Sequence, residues 1–137
     1  MYTYIRRAYY HETDQMGIIH HSNYLKWMEE ARVRFMDSLG HGYAKMEKLG
    51  IVSPVASLRI EYKSPVEFDD EVHIRLGVKK YTGAALEVTY EFYNETKGEI
   101  CTAAESRHCF IKDGRIISLR RTYPEMDAKL RAAVEKE

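Results

Sequence analysis

Between Tyr9 and Leu39 the chain sets two carboxylates, Glu12 and Asp14, in a turn reading His11-Glu12-Thr13-Asp14-Gln15-Met16-Gly17. An apolar pair follows, then His20-His21-Ser22-Asn23 and a long helical stretch. A carboxylate can activate water or attack a carbonyl carbon, and free N–H groups opening a helix can stabilise the resulting oxyanion. Gly17 relaxes the turn, and the helix opens a few residues later. This context favours Asp14 as a catalytic carboxylate over an Asp that only shapes a turn. Glu12 lies two residues away. In extended backbone the two side chains point to opposite sides, so no shared-proton pair is expected and Glu12 should matter far less than Asp14.

His21, at the helix opening, can offer its backbone N–H to a substrate oxygen, and its ring can orient water or substrate. His11, His20 and His21 match no strong metal-ligand spacing and have no Cys nearby, so no metal site is expected. His73 and His108 are expected on the less buried faces of strands, without chemistry. The 11 Tyr, 4 Phe and 1 Trp could line an acyl pocket or simply fill a core. A serine-hydrolase elbow, a P-loop and a dinucleotide fingerprint are absent.

The elements that must hold these residues follow from periodicity. Residues 2–10 read as a first strand, rich in Tyr. Ser22 or Asn23 caps a helix whose apolar positions are Leu25, Met28, Ala31, Phe35 and Leu39, and Gly40 stops it. A short helix is expected near Tyr43–Glu47. The period then becomes two. Leu58, Ile60 and Tyr62 form one apolar set, Val72, Ile74, Leu76 and Val78 a second, and Leu86, Val88, Tyr90 and Phe92 a third. A longer strand spans 99–111, Asp113-Gly114 marks a hairpin, and Pro124 opens a last helix through Met126, Leu130 and Val134. This is an α+β chain, with one long helix laid across a curved antiparallel sheet of about five strands. One helix cannot cover such a sheet, so self-association into a homodimer or homotetramer is expected.

At 137 residues, residues 1–137 are expected to form a single domain. The 21 basic and 21 acidic residues cancel, which argues against a general nucleic-acid binder. No apolar run reaches membrane-spanning length, and the first residues lack a hydrophobic signal core. Cys101 and Cys109 lie in one strand, roughly 26 Å apart, too far for a disulfide. Reduced thiols and a cytoplasmic location are expected.

The run from Tyr10 to Tyr24, continuing to Trp27-Met28-Glu29-Glu30-Ala31-Arg32, resembles the signature of the hotdog acyl-CoA thioesterases. The likeness is strongest to the branch of 4-hydroxybenzoyl-CoA thioesterase and the YbgC-like enzymes. Gly50-Ile51-Val52-Ser53-Pro54-Val55 and Tyr62-Lys63-Ser64-Pro65 share the likeness. The resemblance implies a hotdog fold and hydrolysis of an acyl-CoA to free acid and CoA. It implies that Asp14 is base or nucleophile and that the His21 N–H polarises the carbonyl. Gly17, Ser22, Asn23 and Tyr24 are implied as substrate contacts. The hydroxybenzoyl-specific branch carries Tyr at the His21 position, so strict hydroxybenzoyl specificity is not expected. No cofactor is implied, because CoA is part of the substrate; its phosphates would need cations such as Lys63, Lys112, Arg120 or Arg121. Two other functions fit the same residues less well: an enoyl-thioester hydratase or dehydratase using His21 with Asp14, and a non-catalytic acyl-CoA-binding module.

Overall fold

The computed structural model describes residues 1–135. Strand β1 (Tyr2–Arg7) leads through a 3-10 turn (Tyr10–Glu12) to the long helix α1 (Ser22–Ser38) and a short helix α2 (Tyr43–Lys48). Strands β2 (Val55–Tyr62), β3 (Glu71–Tyr81), β4 (Ala85–Asn94) and β5 (Glu99–Cys109) follow. A two-residue pair, β6 (Ile111–Lys112) and β7 (Arg115–Ile116), precedes α3 (Leu119–Thr122) and α4 (Pro124–Ala133). The large sheet is antiparallel throughout and ordered β1-β3-β4-β5-β2. This is the α+β, five-stranded arrangement that the periodicity and the resemblance predict.

On β3 and β4 the alternation works as expected. Val72, Ile74, Leu76 and Val78, with Leu86, Val88, Tyr90 and Phe92, are buried under the helices. The Asp113-Gly114 hairpin also forms, with both residues at positive φ (53° and 74°), the conformation of a type I′ turn. Residues 2–10 do not form one strand: pairing stops at Arg7, and the 3-10 turn redirects the chain toward α1.

The buried face of α1 is rotated from the expected one. Leu25 is 42% exposed, while Tyr24, Trp27, Met28, Ala31, Phe35 and Met36 are buried. Three- and four-residue steps run through Tyr24, Met28, Ala31 and Phe35 as well as from Leu25, so periodicity alone admits both registers. Packing against β1 and β3 selects one of them.

Strand β2 departs from its pattern. It pairs with β5 on one side only, at the sheet edge. Leu58 is 43% and Tyr62 47% exposed, although their alternation reads as core-facing.

His108 is a clear correction: it is fully buried rather than on the less buried face. In β5 the inward set is Thr102, Ala104, Ser106 and His108, small or polar residues whose alternation carries no hydrophobic signal. They serve a buried polar chain. Arg32 Nη1 donates to the Tyr90 hydroxyl at 3.1 Å and Arg32 Nε to the Tyr43 hydroxyl at 2.8 Å. Tyr90 and Ser106 share a 2.7 Å hydrogen bond, and Ser106 Oγ lies 2.7 Å from His108 Nε2. His73 does lie on the outward face, 2.7 Å from Glu71.

Burial, helped by the Arg32 charge, pushes the His108 imidazole down to about 4. The unfolded chain, with an ordinary histidine, therefore binds more protons than the folded one between about 4 and 6.5. Stability falls as pH drops through that window, with about 2 kcal/mol lost from this group between pH 7 and 5. Urea unfolding at the two pH values measures it. His108→Gln should be less stable at pH 7 but lose about 2 kcal/mol less on acidification than the parent chain.

Candidate active site

The turn predicted around Asp14 is a small hairpin. The Asp14 N–H donates to the Ile18 carbonyl at 2.8 Å, and the Gly17 N–H donates to the Asp14 carbonyl at 3.0 Å. Thr13 bridges Ile19 beside it. Gly17 closes the turn at φ +80°, a region that strains residues with a Cβ. The Ile19 N–H donates to the Val66 carbonyl at 2.8 Å and Ile18 bridges Glu67, tying the hairpin to the β2–β3 connection. Within it, Asp14 Oδ1 accepts the Met16 N–H at 2.8 Å, and among the described residues Oδ2 has no hydrogen-bond partner. Asp14 is half-buried.

The helix opening differs from the expected one. His21, not Ser22 or Asn23, occupies the cap position. An α-helix begins with four N–H groups that lack partners within it. Three are taken here: Ser22 N–H by His20 Nδ1 (3.2 Å), Asn23 N–H by the His20 carbonyl (3.0 Å) and Tyr24 N–H by the His21 carbonyl (3.3 Å). The fourth, His21 N–H, has no acceptor among the described residues.

Asp14 and His21 line one cavity of about 340 Å³. Ile18, Ile19 and Tyr24 form apolar wall, and Tyr62-Lys63-Ser64-Pro65 closes the side formed by the end of β2. The Tyr62 hydroxyl donates to the His21 carbonyl at 3.2 Å, and its ring lies 5.0 Å from that of Tyr24. Tyr24 also meets Trp27 and Phe92 edge-on, and its burial pushes the phenol well above its ordinary range, so it stays protonated.

Of the residues singled out from sequence, Asp14, His21 and Tyr24 thus meet at one cavity. Gly17, Ser22 and Asn23 are not part of its lining. Gly17 makes the turn, Ser22 Oγ lies 2.8 Å from His20 Nδ1, and Asn23 Nδ2 donates to the Glu12 carbonyl at 2.9 Å. Tyr62 was legible only as part of a family-like stretch, because its distance of 41 residues from His21 hides their contact. Of the four cations considered for phosphates, Lys63 lines the cavity; Lys112, Arg120 and Arg121 sit in β6 and α3.

Glu12 is buried, only 6% exposed, and is not part of the cavity lining that holds Asp14. Arg6 Nη1 donates to both carboxylate oxygens at 2.7 and 2.8 Å. The Tyr9 N–H donates to Oε1 and Trp27 Nε1 to Oε2, each at 2.8 Å. Burial opposes the charge, yet these donors outweigh it and hold the carboxyl below the usual carboxylate range.

The thioesterase-like superfamily model matches residues 10–134. A Bacillus subtilis protein with the provisional name acyl-CoA thioesterase YneP is 38% identical over 118 residues, 85% of this chain and 85% of the relative. The crystal structure of DHNA-CoA thioesterase from Staphylococcus aureus superposes with TM-score 0.88 at 38% identity, covering 95% of this chain and 90% of that one. A Thermus thermophilus protein described as hypothetical, TT1821, gives TM-score 0.90 at 27% identity over 97% and 99% of the two chains.

Proposed function

The chain belongs to the thioesterase-like superfamily, and from that membership we propose that it is an acyl-CoA thioesterase, cleaving an acyl-CoA to the free acid and CoA. The names of its relatives support this activity. The observation that carries it is local: an unpartnered His21 N–H and a free Asp14 oxygen belong to residues lining one cavity.

In this reading the His21 N–H donates to the thioester carbonyl oxygen and, with the positive end of the α1 dipole, stabilises the negative charge that develops there. Asp14 acts in one of two ways. As base it takes a proton from water while the water oxygen bonds to the carbonyl carbon; the C–S bond then breaks and the CoA thiolate regains a proton. As nucleophile its oxygen bonds to that carbon, thiolate leaves, and water cleaves the mixed anhydride. A thioester carbonyl is poorly resonance-stabilised, so a carboxylate and one good donor suffice without a resident cofactor. Lys63, in the cavity lining, is the cation that would meet a CoA phosphate. Thiol release across an acyl-CoA panel tests the activity: free CoA supports it, whereas enoyl hydration or binding without turnover overturns it.

The working unit is a homodimer, or a homotetramer of paired dimers. An unpaired edge strand carrying exposed Val55, Leu58 and Tyr62 is a surface that natural sheets cover. The same strand ends in the cavity wall, so a partner laid along β2 would also adjoin the site. Free cysteines at positions 101 and 109 suit a reducing cytoplasm. No helix among the described residues is long and apolar enough to cross a membrane.

Asp14→Asn keeps the size and the turn but not the charge. Its kcat should fall by about two to four orders of magnitude with KM little changed and the circular dichroism spectrum intact. A folded variant with parental kcat removes Asp14 from the mechanism. Sedimentation at micromolar concentration should give at least twice the 16.1 kDa chain mass; a clean monomer contradicts the dimer. Exhaustive chelation should leave hydrolysis unchanged, since His20 Nδ1 is engaged by Ser22 and the His11 ring stacks on Tyr9. Loss of activity restored by one divalent cation contradicts that expectation.

A further inference from the structure

We infer that Glu12 is a positioning residue that sets the geometry of Asp14 and the His21 N–H together; this rests on the catalytic reading of those two groups. Three elements meet on Glu12. Its carboxylate takes Arg6 from β1 and the Trp27 indole from α1, and its carbonyl takes both the His20 N–H and the Asn23 amide, each at 2.9 Å. Two residues onward along the chain is Asp14; one residue beyond His20 is His21. The turn bearing the carboxylate and the helix start bearing the donor are therefore fastened to one residue. Neither fastening touches the substrate cavity, whose lining excludes Glu12.

The anchor needs a carboxylate specifically. Both oxygens receive donors: Oε1 from Arg6 and the Tyr9 N–H, Oε2 from Arg6 and the Trp27 indole. A glutamine in either flip sets its NH2 against donors, so the isosteric change leaves a clash of like groups where one of the two oxygens now sits. Arg6 is itself buried, at 9% side-chain exposure, and among the described residues its other ion partner is the half-exposed Glu30 (3.1 Å). The turn must shift to relieve this. Displacement of a catalytic group by about 1 Å costs on the order of 10²-fold in rate.

The test compares Glu12→Gln, Asp14→Asn and the double variant, with Arg6→Lys as a milder change that keeps the cation but loses the planar fork. Steady-state kinetics are normalised to the folded fraction by circular dichroism. For Glu12→Gln, kcat should fall about 10- to 100-fold with KM within about threefold, and Arg6→Lys should show a smaller loss of the same kind. Because part of the Glu12 effect runs through Asp14, the Glu12→Gln loss of kcat should be smaller in the Asp14→Asn background, the remainder being the part that runs through the His21 N–H. Parental kcat per folded Glu12→Gln molecule, with Asp14→Asn inactive, overturns the positioning role and leaves the catalytic assignment standing. Fully multiplicative losses in the double variant also overturn it, as the mark of a merely structural residue. If Asp14→Asn keeps parental kcat, the catalytic assignment fails and the inference built on it falls too. Should Glu12→Gln not fold, Arg6→Lys carries the same comparison alone and in the Asp14→Asn background.

Discussion

The buried contact between the Glu12 carboxylate and its ring of donors constrains everything around the site. A carboxylate taken out of water is costly unless its lone pairs are all met, and here β1, Tyr9 at the cap of the 3-10 turn, and α1 each contribute a donor. Removing one partner from such a buried pair typically costs about 3–5 kcal/mol, so the three elements are held to one relative arrangement. The Trp27 indole can reach Glu12 only if α1 turns Tyr24, Trp27 and Met28 inward and Leu25 outward, the register the helix adopts. The site's geometry and the packing register of its main helix therefore share one origin.

The opening of α1 shows how sparingly a protein can leave polar groups free. Three of the four N–H groups at the helix start are hydrogen-bonded locally, two of them by His20. The donor that remains belongs to His21, whose carbonyl is in turn held by Tyr62. A single free donor on a residue held on both sides is a better electrostatic partner for a developing oxyanion than several mobile ones, because little reorganisation is needed as charge forms. Asp14 follows the same logic, one oxygen tied to Met16 N–H and the other left over.

Away from the site, the sheet divides its roles by position. Its middle strands carry the apolar rows that α1 and α4 cover, while β2 stays exposed at the edge and ends in the cavity wall. The buried chain from Arg32 through Tyr90 and Ser106 to His108 uses inward positions for hydrogen bonding where a simpler core would place aliphatic side chains.

The sequence by itself determined the class of the molecule and two residues, Asp14 and His21, that line the candidate site. Periodicities of about 3.6 and 2 are local consequences of backbone geometry, so the long helix, the central strands and the Asp113-Gly114 hairpin were legible without coordinates. So was the pairing of Asp14 with a helix start at His21, because seven residues of chain keep them near each other. Tertiary structure alone decided the face of α1, since Leu25 and Tyr24 satisfy the same spacing and only packing distinguishes them. It also decided that His108 is interior, because its small polar neighbours leave no hydrophobic trace, and that Tyr62 joins His21 across 41 residues. Glu12 is the sharpest case. Two residues from Asp14 it reads as a minor turn carboxylate, whereas its contacts come from Arg6 on β1 and from Asn23 and Trp27 on α1, donors that meet it only when the chain has folded.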